Sequence, residues 1–500
     1  MIVSILRRPR ILLAGALVFL VALVTFHNRD ALSDSLPTRP RLDPEAHKLP
    51  RADSFRAHFL AVTRLPGITV AEAKATCHWP EGEYVDFQFG ANTEWVVTDR
   101  PDEEIEARRT AWQQYVEDRA GTGMIPWRKV KDRFKGRGLV ILAGNNDTIM
   151  RLKVILRRLV KLQSQIPVEV HYFSDEEMTE EKRKDLADIG YLPISFNDLS
   201  QPHNLIRVEK DFFATNFHLK SAAIINSNFA EPFLLDSDNI PILDPATLYA
   251  SSVYQEYGTV FWPDIARSWP QNPAWAITNT PCRMDEYEQE SGQLMVDKRR
   301  YWYHLQLAAW MNHPDSGQGK YYNEFLLGDK DMFRFAWHAL KTKYGRPRKW
   351  LTSVGTLNDG FYCGHSFAQH HPDAGDGRVA FLHGGLVKSV SREVMRWNKE
   401  EKGGYFRHYK RAPSDEDPAE NVRVEIIWDG ADYKPEHQAD FRAAMCTDMR
   451  DVKVGDLNEI IPGWEKEYEE LGGYWMLDLN TKGNAVKAKD KAAGKAPVAV

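Results

Sequence analysis

Short apolar runs alternate with amphipathic segments from Gly138 onward, and this alternation predicts the fold class. Residues 139–143 are an apolar run typical of a buried strand, and residues 168–173 are a second one. Between them, residues 147–163 place leucine and isoleucine at spacings of three and four, which predicts a helix. The order strand, helix, strand predicts an α/β fold with a Rossmann-like, mostly parallel sheet that helices cover on both faces.

The next two elements follow the same alternation. Ser174 and Glu177 have the spacing of a capping box, which predicts the start of a helix that Gly190 ends. Residues 191–196 then predict a third strand of the sheet.

Two loops at strand ends are the candidate ligand-binding positions. Residues 217–229 predict a further helix, and the apolar residues 232–235 predict a central strand. In an open sheet of this kind, ligands bind at the carboxyl ends of the strands. The loops in that position are Gly144-Asn145-Asn146 after the first strand and Asp236-Ser237-Asp238 after the central one.

Asp236-Ser237-Asp238 places two carboxylates one residue apart between two apolar runs. Such a pair is an oxygen-rich site for a hard divalent cation that bridges to the phosphates of a nucleotide. An apolar run, D-x-D and a second apolar run are typical of a glycosyltransferase that uses a sugar nucleotide. The alternative is a solvated turn after a strand.

His383 is the predicted third metal ligand. It follows a short apolar run and precedes Gly384, Gly385 and, further on, Lys388. Imidazole with two carboxylates suits Mn²⁺ better than Mg²⁺. The glycines allow the backbone to approach a phosphate, and Lys388 can neutralise one. The alternative is a strand-end histidine on a turn, and three histidines of a predicted surface loop compete for the ligand role: His365, His370 and His371.

Residues 254–310 are rich in aromatic side chains, whose faces stack on sugar rings. About half of them are expected in the core. Trp262-Pro263-Asp264 and Trp269-Pro270 have the character of cleft walls. The aromatic residues of this region are Tyr254, Tyr257, Phe261, Trp262, Trp269, Trp275, Tyr287, Tyr301, Trp302, Tyr303 and Trp310.

Two further polar motifs are candidates for sugar binding. Glu290-Ser291-Gly292-Gln293 places a carboxylate and an amide around a glycine, and both groups can hydrogen-bond sugar hydroxyls; the alternative is a helix start capped by Ser291. Gly328-Asp329-Lys330-Asp331 opens a helix predicted over residues 332–340. Its aspartates either orient the acceptor hydroxyl or favour the helix dipole.

The N-terminus predicts a membrane anchor. Residues 11–26 carry no charged side chain and follow three arginines, Arg7, Arg8 and Arg10. The arginines predict a cytosolic N-terminus and a lumenal main chain. The alternative is a cleaved signal peptide, although no small-x-small cleavage site follows Phe26.

Composition and patterning predict the domain organisation. The chain has 500 residues and a net charge of −5, so it lacks the excess of basic residues that is typical of proteins that bind nucleic acid. The four cysteines are widely spaced, so a zinc site is not expected; in an oxidising lumen they form one or two disulfides, with three possible full pairings, or remain buried thiols. The predicted segments are a cytosolic tail (1–10), a transmembrane anchor (11–26), a stem and N-terminal extension (27–135), a catalytic domain (136–480) and a disordered tail (481–500).

The chain resembles the fungal Mnn-type, mannan-branching α-mannosyltransferases, which are Golgi type II membrane proteins. The resemblance runs from about Gly138 to Lys388. It is carried by residues 139–146, Phe217-His218-Leu219-Lys220, residues 233–239, Glu290-Ser291-Gly292-Gln293 and Gly328-Asp329-Lys330.

The resemblance implies a nucleotide-sugar glycosyltransferase fold of the GT-A type, with GDP-mannose as donor, an α-mannoside oligosaccharide or glycoprotein as acceptor, Mn²⁺ as cofactor and retention of the α-configuration. Retention requires either a covalent carboxylate intermediate or front-face attack. The expected catalytic residues are Asp236, Asp238, Glu290 and Asp329. The expected donor-binding residues are Asn145, Asn146, Lys220, Asp236, Asp238 and Lys388, the acceptor-binding residues are Trp262, Asp264 and Gln293, and the metal ligands are Asp236, Asp238 and His383.

Phe217-His218-Leu219-Lys220 and Glu290-Ser291-Gly292-Gln293 resemble the α-1,2 enzymes of the family more than its α-1,3 enzymes. The alternatives to an α-1,2-mannosyltransferase are an α-1,3-mannosyltransferase and a non-catalytic mannan-binding scaffold. A nucleotidyltransferase also pairs carboxylates around a metal, but it has a Gly-rich basic loop after the first strand, which Gly144-Asn145-Asn146 is not.

Overall fold

A computed structural model describes a defined part of the chain. It covers residues 51–77, 100–117, 123–174, 177–191, 193–209, 213–313, 318–326, 328–384, 387, 390–412, 424–427, 446–449 and 451–478. The predicted cytosolic tail, the anchor over 11–26 and the tail over 481–500 lie outside these residues. Within the described ranges, none of the helices combines the length and the hydrophobicity that a membrane crossing requires.

The described residues form a mixed α/β structure. The strands are β1 (Arg137–Leu142), β2 (Val168–Tyr172), β3 (Ile194–Asp198), β4 (Glu231–Leu235), β5 (Asn239–Pro241), β6 (Thr259–Pro263), β7 (Gln289–Val296), β8 (Thr352–Asn358), β9 (Phe361–His370), β10 (Val379–His383), β11 (His408–Arg411), β12 (Val424–Ile427), β13 (Cys446–Met449) and β14 (Val454–Asp456).

Helices separate most of the strands along the chain. They are α1 (Phe55–Val62), α2 (Val70–Lys74), α3 (Asp102–Glu117), α4 (Asn146–Lys161), α5 (Glu180–Ala187), α6 (Phe213–Asn226), α7 (Ser252–Tyr257), α8 (Pro273–Ile277), α9 (Lys298–Met311), α10 (Gln318–Tyr322), α11 (Lys330–Ala339), α12 (Arg392–Glu401), α13 (Trp464–Glu470) and α14 (Trp475–Asp478).

The first sheet is the predicted one, and it is mostly parallel. Its strand order is β3-β2-β1-β4-β7-β6, in which β1, β2, β3 and β4 pair in parallel while β7 pairs antiparallel with both β4 and β6. Leu139 and Ile141 of β1 pack into one hydrophobic cluster, whereas Val140 packs into another. Since successive side chains of a strand point to opposite faces, both faces of this sheet are covered, as predicted.

The predicted helix after β2 begins later than expected. Thr179, not Ser174, is its N-cap, and the Thr179 hydroxyl accepts a hydrogen bond from the backbone of Lys182. Ser174 has a positive φ of 68° and its N–H donates to Asp198. Ser174 therefore belongs to the turn that leaves β2, and the capping box predicted for it is wrong.

The segment before β1 is part of the folded unit. Phe55, Ile105 and Trp112 are buried in the same hydrophobic cluster as α9 and α11. The indole N–H of Trp112 donates a hydrogen bond to the carbonyl of Ile277, at 3.0 Å. These contacts join the described residues before β1 to the rest of the fold, and the boundary at residue 135 stays a prediction.

A second, antiparallel sheet is not foreseen by the sequence patterns. Its main path is β12-β13-β9-β8-β11-β14, and β10 joins it by pairing with β9 and β5. Three residues separate the end of β4 from the start of β5, so the chain passes from the first sheet to the second between them.

All four cysteines form disulfides. Cys77 pairs with Cys282, and Cys363 on β9 pairs with Cys446 on β13. The first bond joins the segment after α2 to the segment after α8, and the second lies within the antiparallel sheet. Of the alternatives that the sequence leaves open, the structure has the one with two disulfides.

Candidate active site

The turn Asp236-Ser237-Asp238 links the two sheets, because β4 ends directly before it and β5 begins directly after it. The backbone N–H of Asp236 donates a hydrogen bond to the carbonyl of Gly292 on β7, at 2.8 Å. The side-chain amide of Asn239 donates to the same carbonyl, at 2.9 Å, and to Oε1 of Gln293. The turn is thus held at the carboxyl end of β4. Asn239 is not a predicted site residue, although it directly follows the D-x-D motif.

The strand β10 brings His383 to this turn. Its antiparallel register with β5 places His383 opposite Asn239, and the N–H of Gly384 donates to the carbonyl of Asp238, at 2.8 Å. Nε2 of His383 lies 3.3 Å from Oδ1 of Asp238. One ligand atom from each of Asp236, Asp238 and His383 lies within 4.8 Å of the others. The three predicted metal ligands are therefore brought together.

Glu290 contacts the other edge of the imidazole. Its Oε2 lies 3.4 Å from Nδ1 of His383, and its Oε1 accepts a hydrogen bond from the N–H of Gly292, at 2.8 Å. Glu290 and Gly292 lie in β7, so the helix start considered for this motif is wrong. The register of β7 with β6 shifts next to Glu290, which bends the strand at this point.

Lys220 on α6 connects Asp236 to Asp329. Its Nζ lies 2.9 Å from Oδ2 of Asp236 and 3.4 Å from Oδ2 of Asp329, and it donates to the hydroxyl of Ser291, at 3.0 Å. Asp329 directly precedes α11 but makes no capping hydrogen bond with its side chain. The Asp329 carboxylate therefore contacts Lys220 and does not cap the helix. The start of α11 only places it there.

The charges of this cluster are strongly coupled because the side chains are buried. Burial and the neighbouring Asp238 carboxylate raise the pKa of Asp236, although Lys220 opposes this. Burial would also raise the pKa of Glu290, but the charges of His383 and Lys220 lower it to about 2. Burial would lower the pKa of His383, but the carboxylates of Glu290 and Asp238 raise it well above its ordinary value. The cluster thus stabilises positive charge.

The donor set fits a divalent cation. Two carboxylates and one imidazole are the ligand types that suit Mn²⁺, and the surrounding carboxylates favour a cation electrostatically. Asp236, Asp238 and His383 would hold the ion, with His383 as a neutral imidazole. Glu290 would orient His383 and Lys220 would orient Asp236, as is common for residues that hydrogen-bond metal ligands.

Two predicted acceptor-binding residues are buried in the interior. Trp262 has no exposed surface, and its indole N–H donates to the carbonyl of His370, at 2.8 Å. Gln293 also has no exposed surface and holds Asn239 instead. Neither side chain reaches the surface in this structure, and their role in sugar binding stays a prediction. Both lie on strands of the central sheet, whose side chains pack into the core.

Asp264, the third predicted acceptor-binding residue, is part of a buried ion cluster. Its Oδ2 lies 2.5 Å from Nζ of Lys330, which also lies 2.7 Å from Oε2 of Glu288. Asp264 is only 9% exposed. This pairing fixes the start of α11, and with it the position of Asp329 next to Lys220.

The predicted donor-binding asparagines lie at the edge where the parallel strands end. Asn145 is the N-cap of α4, and its Oδ1 accepts a hydrogen bond from the N–H of Thr148, at 3.0 Å. Asn146 is the first residue of that helix, and both side chains are exposed. Lys388 lies outside the described residues.

The three competing histidines are not in a surface loop. His365 and His370 lie on β9, and His371 directly follows that strand. All three are buried, with exposures of 0%, 1% and 8%. Two of these histidines are thus interior residues of the second sheet, the third is buried at its end, and none joins the group around Asp238.

The aromatic region divides into core and half-buried residues, as predicted. Six of its eleven side chains are buried, namely Tyr254, Phe261, Trp262, Trp275, Tyr301 and Trp302. The others are half-buried, and one of them, Tyr287, stacks on Trp350. Trp269 is half-buried in the loop between β6 and α8.

Comparison with known proteins agrees with these observations. The chain matches the family described as "Mannosyltransferase putative" over residues 136–286 and 276–371. These ranges contain Lys220, Asp236, Asp238, Glu290 and Asp329, whereas His383 lies beyond them.

Curated relatives are fungal mannosyltransferases. The α-1,2-mannosyltransferase MNN24 of Candida albicans is 24% identical over 310 residues, which cover 52% of this chain and 41% of the relative. The α-1,2-mannosyltransferase MNN2 of Saccharomyces cerevisiae is 31% identical over 138 residues, covering 27% of this chain and 22% of the relative. The probable α-1,3-mannosyltransferase MNT4 of S. cerevisiae is 23% identical over 398 residues, covering 66% and 63%. The chain thus spans less than half the length of MNN24 and MNN2.

Solved structures resemble the chain only weakly. The mannosyltransferase Ktr4p from S. cerevisiae in complex with GDP is 12% identical, with 61% of this chain and 85% of that chain covered and a TM-score of 0.30. The predicted resemblance is confirmed at the level of sequence: the chain is similar to a mannosyltransferase family and to fungal Mnn-type α-1,2-mannosyltransferases.

Proposed function

We propose that this protein is a metal-dependent, retaining α-1,2-mannosyltransferase that transfers mannose from GDP-mannose to an α-mannoside oligosaccharide or glycoprotein. Its fold is then of the GT-A type. Its place of action is the Golgi lumen, where residues 11–26 anchor it as a single-pass type II protein. The sequence relationship to fungal mannosyltransferases supports the donor and the acceptor class.

The observation that carries the proposal is the grouping of Asp236, Asp238 and His383 at the link between the two sheets. It lies at the carboxyl end of a central parallel strand, where nucleotides bind in open α/β sheets. A bare turn with solvated aspartates would need neither the histidine from β10 nor the lysine from α6. The grouping therefore supports metal-assisted binding of a nucleotide diphosphate.

The side chains around the turn have distinct tasks in this mechanism. When bound, a divalent cation supplies positive charge that stabilises the diphosphate as the mannosyl–phosphate bond breaks. Glu290 holds the His383 ring, and Lys220 holds the carboxylates of Asp236 and Asp329. The ammonium of Lys220 adds a second positive charge beside the site. Asp329 is placed to orient a sugar hydroxyl next to Lys220.

The α-1,3 linkage is the second candidate. It is favoured by the similarity to a probable α-1,3-mannosyltransferase over 66% of this chain. The α-1,2 linkage is favoured by the two motifs Phe217-His218-Leu219-Lys220 and Glu290-Ser291-Gly292-Gln293. Because both linkages use the same donor and metal, only the product distinguishes them.

A transfer assay tests the proposal. Purified protein is incubated with Mn²⁺, a panel of nucleotide sugars and an α-1,6-mannoside acceptor, and the mass and linkage of the product are determined. We expect a hexose gain from GDP-mannose alone, with an α-1,2 linkage. Metal-dependent binding of GDP without transfer to any mannoside would favour a different acceptor, and absence of any nucleotide binding would favour the scaffold.

A variant of the D-x-D motif tests the metal group, which consists of Asp236, Asp238 and His383. Asp238→Ala is expected to abolish transfer while the melting temperature in the absence of metal changes little. Asp451→Ala, at an exposed aspartate, is the matched control and should transfer normally. Transfer by a correctly folded Asp238→Ala protein would refute the assignment of this residue.

A further inference from the structure

A cavity that is partly open to solvent adjoins the metal group. Ser237, Asp238 and Gly384 line it, so it is continuous with the turn that carries the D-x-D motif. None of the predicted acceptor-binding residues lines it.

Phe406 and the C-terminal segment, residues 451–478, contribute aromatic side chains to the lining. Phe406 and Tyr468 are buried, whereas Trp475 and Met476 at the start of α14 are half-buried. Arg151 on α4 is half-buried and adds a charged hydrogen-bond donor to the lining. A flat apolar surface beside a few polar groups is the combination that binds a pyranose ring, whose faces are apolar and whose rim carries hydroxyls.

The position of the cavity distinguishes it from a nucleotide site. The carboxyl ends of β1 and β2, where a nucleoside is expected, contribute no residue to the lining. Lys220, Ser291 and Asp329 surround Asp236, and they do not line the cavity either. Among the described residues, the cavity thus meets the metal group only through the Asp238 side of the turn and Gly384.

We propose that this cavity binds the acceptor, with a mannoside ring stacked on Trp475 and a ring hydroxyl hydrogen-bonded to Arg151. The inference rests on the proposed function, and it assigns the acceptor subsite to the C-terminal segment rather than to the aromatic region around Trp262. Acceptor and donor then approach the metal group from different sides of the turn. The aromatic side chains of the lining, Phe406, Tyr468 and Trp475, then determine the specificity for the acceptor.

Binding measurements with the intact protein test this assignment. Calorimetric titration with α-1,6-linked mannotriose, in the presence of GDP and Mn²⁺, gives the dissociation constant for the acceptor, and titration with GDP gives that for the nucleotide. The variants are Trp475→Ala, Trp475→Phe and Arg151→Gln. Val160→Ala, at a 45% exposed position on the same helix as Arg151, is the control. Thermal melting checks the fold of each protein.

We expect Trp475→Ala to raise the dissociation constant for mannotriose about tenfold and Trp475→Phe to restore most of the affinity. Arg151→Gln should also weaken mannotriose binding, and it provides a second readout if Trp475→Ala does not fold. The affinity for GDP should stay at the wild-type value in all variants. Val160→Ala should bind both ligands normally.

The other outcomes overturn the proposal. If the variants weaken GDP binding and leave mannotriose binding unchanged, the cavity belongs to the nucleotide. If they change neither affinity, or if the wild-type protein does not bind mannotriose, the cavity is not the acceptor subsite. If the wild-type protein binds mannotriose through Trp475 but transfers no mannose, the subsite stands and the proposed enzymatic function fails, so the two failures are distinguishable.

Discussion

Gly292 lies directly against the imidazole of His383. A Cβ atom at position 292 would be 2.9 Å from Cε1 and 3.1 Å from each ring nitrogen of His383. These distances are shorter than normal van der Waals contacts, so any side chain at position 292 would displace the ring. The glycine therefore sets how closely β7 and β10 approach each other at the metal group.

The first prediction concerns this contact. Gly292→Ala should move His383 away from Asp238 and weaken Mn²⁺ binding by about 10- to 100-fold, the effect typical of disturbing the support of a metal ligand. The dependence of transfer on Mn²⁺ concentration measures the change. Gly375→Ala is the matched control, because a Cβ there meets no atom within 4 Å. An unchanged Mn²⁺ dependence in Gly292→Ala would remove His383 from the set of ligands.

The second prediction concerns Lys220. Lys220→Gln leaves the carboxylates of Asp236 and Asp329 without their shared cation, and breaking a buried pair in this way costs about 3 kcal/mol of unfolding free energy. Mn²⁺ should recover part of that loss, because a cation replaces the missing positive charge. Melting temperatures with and without Mn²⁺ measure both effects.

A surface lysine provides the comparison for Lys220. Lys153 pairs with Asp185, whose side chain is 54% exposed, and Lys153→Gln should change stability by less than about 1 kcal/mol. Equal melting temperatures for the Lys220 variant and the wild type, in the absence of metal, would contradict the bridging role.

The third prediction concerns the disulfide between Cys77 and Cys282. Replacing both residues by serine should lower the free energy of unfolding by about 3 kcal/mol, because the bond closes a long loop of the chain. Chemical denaturation measures this loss, and GDP binding at room temperature should persist. Unreduced, denatured wild-type protein should have no reactive thiol. A reactive thiol in that protein would contradict the pairing.

The fourth prediction concerns pH. Burial lowers the pKa of His365 from 6.5 to about 3, where its ring stacks on Tyr405 and Nε2 contacts the Tyr405 carbonyl. The unfolded chain therefore binds a proton at this histidine at a higher pH than the folded protein does. The contribution of His365 to the free energy of unfolding is fully present above pH 6.5. It falls by about 1.4 kcal/mol per pH unit as the pH decreases toward about 3.

Replacing His365 isolates this contribution. In His365→Phe, the dependence of stability on pH between about 6 and 4 should be shallower by that amount, whatever the stability at neutral pH. Chemical denaturation at several pH values gives the slope. The exposed His203 provides the control variant, His203→Asn, which should keep the wild-type slope. The same slope in His365→Phe and the wild type would show that His365 does not titrate as a buried group.

The regular part of the α/β fold follows from local sequence. The predicted strands and helices around Leu139, Leu152 and Val170 appear as β1, α4 and β2, because apolar periodicity reports directly which residues face a core. The helix after Asp329 is equally local. The start of α5 is not, because Ser174 and Thr179 are both good caps and the turn leaving β2 decides between them.

Side-chain roles are harder to predict than elements. Trp262 and Trp475 are both aromatic residues next to polar ones, yet the first is fully buried in a sheet and the second lines a cavity. His365 lies within β9 and His383 ends β10, and both strands contain small and apolar residues. Composition does not distinguish these pairs, because exposure depends on which other strand or helix covers each side chain.

The sequence by itself predicted the mixed α/β class of the fold, the resemblance to fungal mannosyltransferases and the pairing of Asp236 with Asp238 in one motif, since each depends on residues close together in the chain. Only the tertiary structure decided that His383, and none of the competing histidines, lies beside Asp238, that Lys220 joins Asp236 to Asp329, and that the C-terminal segment lines a cavity beside Asp238. These contacts arise from pairing of β5 with β10 and packing of distant segments. Such long-range contacts are set by the free energy of the whole core rather than by any local pattern.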